Sequence, residues 1–276
     1  MRIAIVLTCF NRKEKTKCCM DFLVKEQKKK SNVKFEVFVT DDGSTDGTIE
    51  MLRGYSDILD LIILKGKNLY WDKGMYRSMR YAVKTPHDFY LMINDDVYFA
   101  DDFLDVMLDS YYEVGSTCGI SGATQDSCHK RTTYGGILFN GKTFLDPNGK
   151  PQECNLANWN CFLIDQKVID KVGIIDPNYD HSFGDYDYSM LMQRNGIKVY
   201  LSKEYIGVCN RNSKKGTFKD NTLTRKQRIN RFFSPKGMPF KSGLRYSIKN
   251  LDFLGFKGLV MFLGSYLRNL IVVLIG

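Results

Sequence analysis

The chain has 276 residues, 43% of them hydrophobic and 26% charged, with a formal net charge of +9. That length supports a sizeable core in one large domain or two small ones, and the balance excludes an intrinsically disordered chain. The eight cysteines form no CxxC pair, and their spacing fits neither a disulfide framework nor a zinc site, so free thiols in a reducing cytoplasm are expected.

The chain opens on "MRIAIVLTCFNR", an apolar run too short for a signal peptide and followed by no small-residue cleavage site. Residues 2–8 read as an apolar strand, 13–30 as a helix and 34–40 as a second strand. The Ser44–Thr45 pair offers an N-cap to a helix reaching about Tyr55. A third strand follows at about 60–64. Residues 73–84 then read as a helix with Met75, Met79 and Ala82 or Val83 on one face. "DFYLMI" is a fourth strand and "DDFLDVMLDSYY" a helix after it. This alternation predicts an α/β fold with a mostly parallel sheet wrapped by helices. Beyond it, "TYGGILFNGKTFLDPNGK" reads as a hairpin with glycine turns, "WNCFLI" as a short strand, 185–195 as a helix ending at Gly196, and "IKVYLS" as a further strand.

The charge is concentrated near the end. Residues 203–250 hold thirteen Lys or Arg against Glu204 and Asp220, so that segment carries +11 and the rest is close to neutral. Such a stretch could face nucleic acid, an anionic membrane or a phosphorylated substrate. Residues 253–276 are strongly apolar but interrupted by Lys257 and Arg268, and the uncharged stretch between them is too short to span a bilayer. Apolar residues beside a basic segment point to a helix lying in the cytoplasmic face of a membrane, the alternative being a helix docked on the domain's own core.

In parallel sheets ligands bind beyond the carboxyl ends of the strands. Three strands end in ligand-type residues here: Thr8, Phe10, Asn11 and Arg12 after the first; Asp41, Asp42, Gly43 and Ser44 after the second; Asn94, Asp95 and Asp96 after the fourth. No GxGxxG follows the first strand and no GxxxxGKS occurs, so a dinucleotide fingerprint and a P-loop are both excluded. Asp42 can still accept from a base N–H and Asp95 from ribose hydroxyls. Asp96 can hold a divalent cation that takes one or two protein carboxylates and fills its shell with phosphates and water. In "HSFGDYDYSMLMQRNG", Asp185 follows a glycine at a predicted helix start, where it can act as a general base, and Asp187 can hold a neighbour or the acceptor.

The ordered set "TCFNR", "VTDDGSTDGT", "LMINDDV" and "FGDYDYSMLMQRNG" resembles glycosyltransferase family 2, inverting enzymes of the GT-A fold, over roughly residues 2–210. "NLYWDKGMYRSM", "TYGGILF" and "NWNCFLI" further resemble a bacterial, rhamnosyltransferase-like branch. The resemblance implies that Asp95 contacts the ribose, Asp96 the metal and Asp42 the base, with Asp41 beside it. Thr8, Phe10, Asn11 and Arg12 would line the nucleotide pocket, Trp71, Gly74 and Arg77 would lie near the donor sugar and diphosphate, and Asp185 would be the catalytic base. Three departures stand out, the first being that the motif usually read Glu-Asp in the family is Gly184–Asp185 here. Asn94 occupies the first position of the DxD-type motif, which shifts metal duty onto Asp96. No His stands near Cys209 or Asn210, where the family often has a further metal ligand.

The sequence therefore predicts a GT-A domain over 1–210, with a nucleotide-binding half to about residue 100 and an acceptor half beyond it. A basic, then apolar, helical extension follows over 211–276. The expected cofactor is Mn²⁺ or Mg²⁺, and the expected partners are a nucleotide-diphosphate sugar, a glycan or lipid-linked saccharide acceptor and an anionic membrane on its cytoplasmic face. Nucleic-acid binding would leave the strand-end acids unexplained. A sugar-phosphate nucleotidyltransferase would want glycines that "TCFNRKEK" lacks, and an inactive binding module would not need both Asp96 and Asp185.

Overall fold

A computed structural model describes residues 1–128, 130–139 and 143–275. The first half alternates as the periodicity predicts: β1 (Arg2–Cys9), α1 (Lys13–Lys29), β2 (Lys34–Asp41), α2 (Thr48–Arg53), β3 (Asp60–Lys65), α3 (Tyr70–Ala82) and β4 (Phe89–Ile93). β1 pairs in parallel with both β2 and β4, and β2 in parallel with β3. Every residue of β4 is buried, because helices cover both faces of the sheet and leave no solvated side to alternate toward. Met75, Met79 and Ala82 of α3 pack on one face, and Met20 and Leu23 of α1 on the other.

The second half is built from shorter pieces. β5 (Tyr98–Phe99), α4 (Phe103–Val114), β6 (Cys118–Gln125), β7 (Thr132–Tyr134), β8 (Gly136–Leu138), β9 (Thr143–Phe144), β10 (Gln152–Cys154) and β11 (Leu156–Ala157) lead to β12 (Cys161–Asp165). α5 (Gln166–Val172), α6 (Gly184–Arg194) and β13 (Lys198–Val208) complete the core of this half. The main sheet runs β10-β13-β6-β12-β4-β1-β2-β3, with β12 inserted antiparallel between β4 and β6. The architecture is a mixed α/β layer with a mostly parallel central sheet. The predicted hairpin over 133–150 divides differently: β7 joins the main sheet through β6, while β8 and β9 pair in a separate small sheet. Its glycine turn at 140–142 lies outside the described residues.

Two helix starts differ from expectation, that of α2, where the local Asp46 carboxylate accepts from the Thr48 N–H (3.2 Å), and that of α3, where a remote acid does the capping. α2 begins at Thr48 behind left-handed Gly47, and Ser44 does not cap it. The Ser44 hydroxyl instead accepts from the Asn11 N–H (2.8 Å), and Thr45 N–H donates to the Asn11 amide oxygen (2.7 Å). α3 begins at Tyr70, because the Asp42 carboxylate accepts from the N–H groups of Leu69 (2.7 Å) and Tyr70 (2.9 Å).

The C-terminal segment forms α7 (Arg225–Phe232), α8 (Phe240–Lys249) and α9 (Leu251–Ile275). Thr224 and Gln227 close a capping box on α7. α9 bends at Gly255, whose φ of 60° only glycine adopts without strain. Tyr266 and Val273 of α9 bury against Phe218 and Phe232, while Phe256, Val260, Leu267 and Ile271 are exposed.

Candidate active site

The ends of β1, β2 and β4 and the start of α6 open on one cavity of about 940 Å³. Thr8, Phe10, Arg12, Asp42, Trp71, Asn94, Asp95, Asp96 and Asp185 all line it. It lies where β1 passes between β2 and β4, the switch point at which open α/β sheets bind ligands.

On the β1–β4 side the acids are already engaged. Arg12 donates one N–H to Asp95 (2.8 Å) and another to Asp96, with the Lys15 ammonium 4.0 Å from Asp96. The second oxygen of Asp95 accepts from the Thr16 hydroxyl (2.7 Å). Burial raises the Asp95 carboxyl, and Arg12 and Thr16 oppose it. Asn94 accepts from the Trp71 indole N–H (2.8 Å), which ties the fourth strand's end to α3. The strap leading into α3 carries two non-glycine residues at positive φ, Asn68 (57°) and Tyr70 (61°). Such conformations persist only where surrounding contacts over-determine them. Here Asp42 supplies that hold.

The facing wall comes from "NWN" and α6. Asn158, Trp159 and Asn160 precede β12 and line the cavity. Phe183, left-handed at φ 84°, turns the chain so that α6 starts at the cavity with no side chain of its own capping it. Asp185 stands in the first turn, partly open to the cavity. Burial pushes its carboxyl up to about 6, opposed by hydrogen bonds from the Tyr186 N–H, the Asn158 side chain and the Trp159 N–H. No cation is paired with it among the described residues. A carboxylate so held is ionised near neutral pH yet basic enough to accept a proton there.

Asn11, Asp41, Gly74 and Arg77 do not reach the cavity wall. Asn11 braces the 44–45 loop. Asp41 accepts from Gly43 N–H (3.2 Å) and Ser44 N–H (2.9 Å) in that loop. Gly74 lets α3 approach β1, since a Cβ there would overlap the Thr8 side chain. Arg77 has a buried Nε with no partner among the described residues. Asp187 is turned away as well: it accepts from Lys249 (2.6 Å) and from the Asn250 amide (2.9 Å) of the C-terminal segment. Sequence reading gave no role to Lys215 and Lys236, which line the cavity and bring the basic segment to its mouth.

Among the described residues no three His, Cys, Asp or Glu side chains are grouped to hold a metal ion. Asp96, paired with Arg12 here, brings to the cavity a carboxylate of the kind a hard cation takes, which fits an ion that draws its remaining oxygens from phosphates and water. Near the position of the absent His, the Cys209 thiol accepts from the Asn160 amide (3.5 Å) and is pushed by burial up to about 12.

No curated protein matches the chain in sequence. Among solved structures it is similar to the mannosyltransferase PcManGT from Pyrobaculum calidifontis in complex with GDP-Man and Mn²⁺, at 14% identity and a TM-score of 0.58, over 85% of this chain and 62% of that one. It is also similar to S. aureus TarS 1-349 in complex with UDP-GlcNAc, at 15% identity and a TM-score of 0.57, over 98% of this chain and 81% of that one. Against a longer S. aureus TarS structure the TM-score is 0.59 at 14% identity, and this chain spans 49% of it. At such identities the likeness is one of fold, the GT-A fold. The family model for Glycosyl transferase family 2 matches residues 4–173, more than half of the chain, and the chain belongs to that family.

Proposed function

We propose that the chain moves a sugar from a nucleotide-diphosphate donor to a hydroxyl of a glycan or lipid-linked saccharide, with inversion at the anomeric carbon. The observation that carries this reading is the facing arrangement of one cavity: strand-end carboxylates on one wall, Asp185 on the other. Asp42, Asp95 and Arg12 bind the nucleotide. Asp185 takes the proton of the acceptor hydroxyl, whose oxygen attacks the anomeric carbon while the bond to the diphosphate breaks and the nucleoside diphosphate leaves. Mn²⁺ or Mg²⁺, when bound at Asp96, supplies neutralisation of charge on the leaving diphosphate. With such an ion there, Arg12 would release Asp96 and, with Lys215 and Lys236, would face the phosphates. The GDP-Man, UDP-GlcNAc and Mn²⁺ of the similar structures support a nucleotide-sugar donor and a divalent ion.

The setting we propose is bacterial surface polysaccharide synthesis, in the rhamnosyltransferase-like branch that the "YWDKGM" and "NWN" segments resemble. The basic segment and α9 hold the enzyme on the cytoplasmic face of the membrane. By length and composition α9 is sufficient to cross a membrane. Exposed Arg268 near its middle would cost about 3 kcal/mol at a bilayer centre, and α7 and α8 cover one side of the helix. Both favour a helix lying in the interface.

The test is a screen of nucleotide sugars for release of nucleoside diphosphate with and without Mn²⁺, joined to calorimetry on Asp96→Ala. Metal-dependent donor binding is expected in the wild type and abolished in Asp96→Ala, with Asn94→Ala weakened only in part. Equal metal-dependent affinity in the wild type and Asp96→Ala would remove Asp96 from the site.

A further inference from the structure

Beneath the start of α6 lies a carboxyl that the proposed mechanism does not use. Asp72, in the first turn of α3, is 0% exposed, and neither of its oxygens has a hydrogen-bond partner among the described residues. It is pressed against the backbone of Gly184: a Cβ built there would fall inside the Asp72 carboxyl and close to the Ile175 side chain. Gly184 is thus the one kind of residue that lets Asp72 reach this spot, and the next residue in the chain is Asp185.

Four acids act on Asp72, Asp185 and Asp187 from α6 and Asp176 and Asp180 from the loop before it, and the nearby cations Lys73, Arg245 and Lys249 pair with these acids rather than with Asp72. Three of these are balanced. Asp176 pairs with Arg245 (2.7 Å) and Lys249 (2.9 Å), Asp187 with Lys249 (2.6 Å), and Asp180 with Lys73 (2.5 Å). Asp72 and Asp185 have no paired cation among the described residues. Two neighbouring carboxyls without a counter-ion, one of them fully buried, cannot both ionise at ordinary cost, so the buried one keeps its proton.

We propose that Asp72 is the protonated member of that pair, a positioning residue whose neutral carboxyl leaves Asp185 as the single negative charge at the start of α6 and so keeps it free to act as base. This rests on the reading of Asp185 as the general base. Asp185 keeps the charge because three hydrogen-bond donors face it and it opens to the cavity, whereas Asp72 has neither advantage. Burial first, and the charge of Asp185 second, push the Asp72 carboxyl from an ordinary 3.8 up to about 8. When Asp72 does lose its proton, a second uncompensated charge stands against the start of α6.

Asp72→Asn reproduces the shape of the protonated acid and removes its titration. The folded wild type holds a proton that the unfolded chain releases, so its stability falls as pH rises from about 4 to about 8. The variant lacks this loss. Its melting temperature should match the wild type near pH 4 and exceed it by a margin that widens up to about pH 8. At pH 7 the infrared C=O stretch of a protonated carboxylic acid should be present in the wild type and largely lost in the variant. The transfer rate should decline above about pH 8 in the wild type and stay level in the variant. Parallel stability curves, an Asp72→Asn chain that is less stable at pH 7 or fails to fold, equal infrared bands, or a decline in both rate profiles would each overturn the assignment. The stability and infrared measurements use no donor or acceptor. Failure of the transferase reading therefore leaves them informative, and their failure leaves that reading standing.

Discussion

A general base acts in the transition state, so its removal lowers turnover while donor binding holds. Asp185→Asn keeps size and hydrogen bonding but accepts no proton at neutral pH. Transfer should fall by at least about a hundredfold, with donor affinity within a few-fold by calorimetry. With the carboxyl held at about 6, wild-type transfer should also rise with pH through that value, since only the ionised form accepts the proton. Transfer within a few-fold of wild type would dismiss Asp185, and Asp187 is no substitute, because Lys249 and Asn250 occupy its oxygens. Which residues bear charge was legible in the sequence: acids at strand ends and one at a helix start. What each acid touches was not. Asp42 is engaged with backbone N–H groups of the strap and Asp95 and Asp96 with Arg12, relations that join residues distant in the chain, while Asp72 has no hydrogen-bond partner among the described residues. A turn-like "DDGS" gives no hint that one of its carboxylates caps α3.

Elements with strong apolar periodicity came out of the sequence nearly whole: α1 and α3 by their spaced core residues, β4 by its unbroken run. The weak points were the start of α3, fixed by the remote Asp42, and the short strands of the second half, whose pairing depends on neighbours far along the chain. The same long-range logic holds α6. Asn250 is fully buried, donates to Asp187 (2.9 Å) and to the Tyr246 carbonyl (2.9 Å), and accepts from Arg194 (2.8 Å). Arg194 continues the network to Asp252 (2.6 Å). The helix carrying Asp185 is therefore latched two residues later to the segment between α8 and α9. Asn250→Ala leaves a buried charged acceptor short of a donor and should cost about 1.5–3 kcal/mol of stability, read by chemical denaturation. Because the latch sets α6, transfer by the folded variant should drop more than its donor affinity. A loss below about 0.5 kcal/mol would mean that water replaces the amide at no cost.

At the scale of the molecule, charge and apolar surface collect on the same side of the chain order. The segment 203–250 carries +11, and α9 follows it with exposed Phe256 (73%) and Ile275 (82%) as well as Leu267 and Ile271. Composition made this visible before any fold was known. The sequence could not say which side of α9 is free, because that depends on where Phe232 and Phe218 come to rest. Leu267 and Ile271 lie on the free side, so changing them leaves the α7–α9 packing in place. Burying each in a membrane interface is worth about 1.5–3 kcal/mol, and each basic residue near an anionic surface about 1 kcal/mol. The full chain should therefore sediment with anionic vesicles, less with neutral ones, and less again at high salt. A full-length Leu267→Glu/Ile271→Glu variant should lose at least about tenfold in vesicle partition from the lost apolar burial alone, with an unchanged melting temperature. Its transfer to a soluble acceptor should match the wild type, because neither residue touches the cavity. A wild type that stays in the supernatant, or a variant that pellets equally, would show that this face does not meet a membrane.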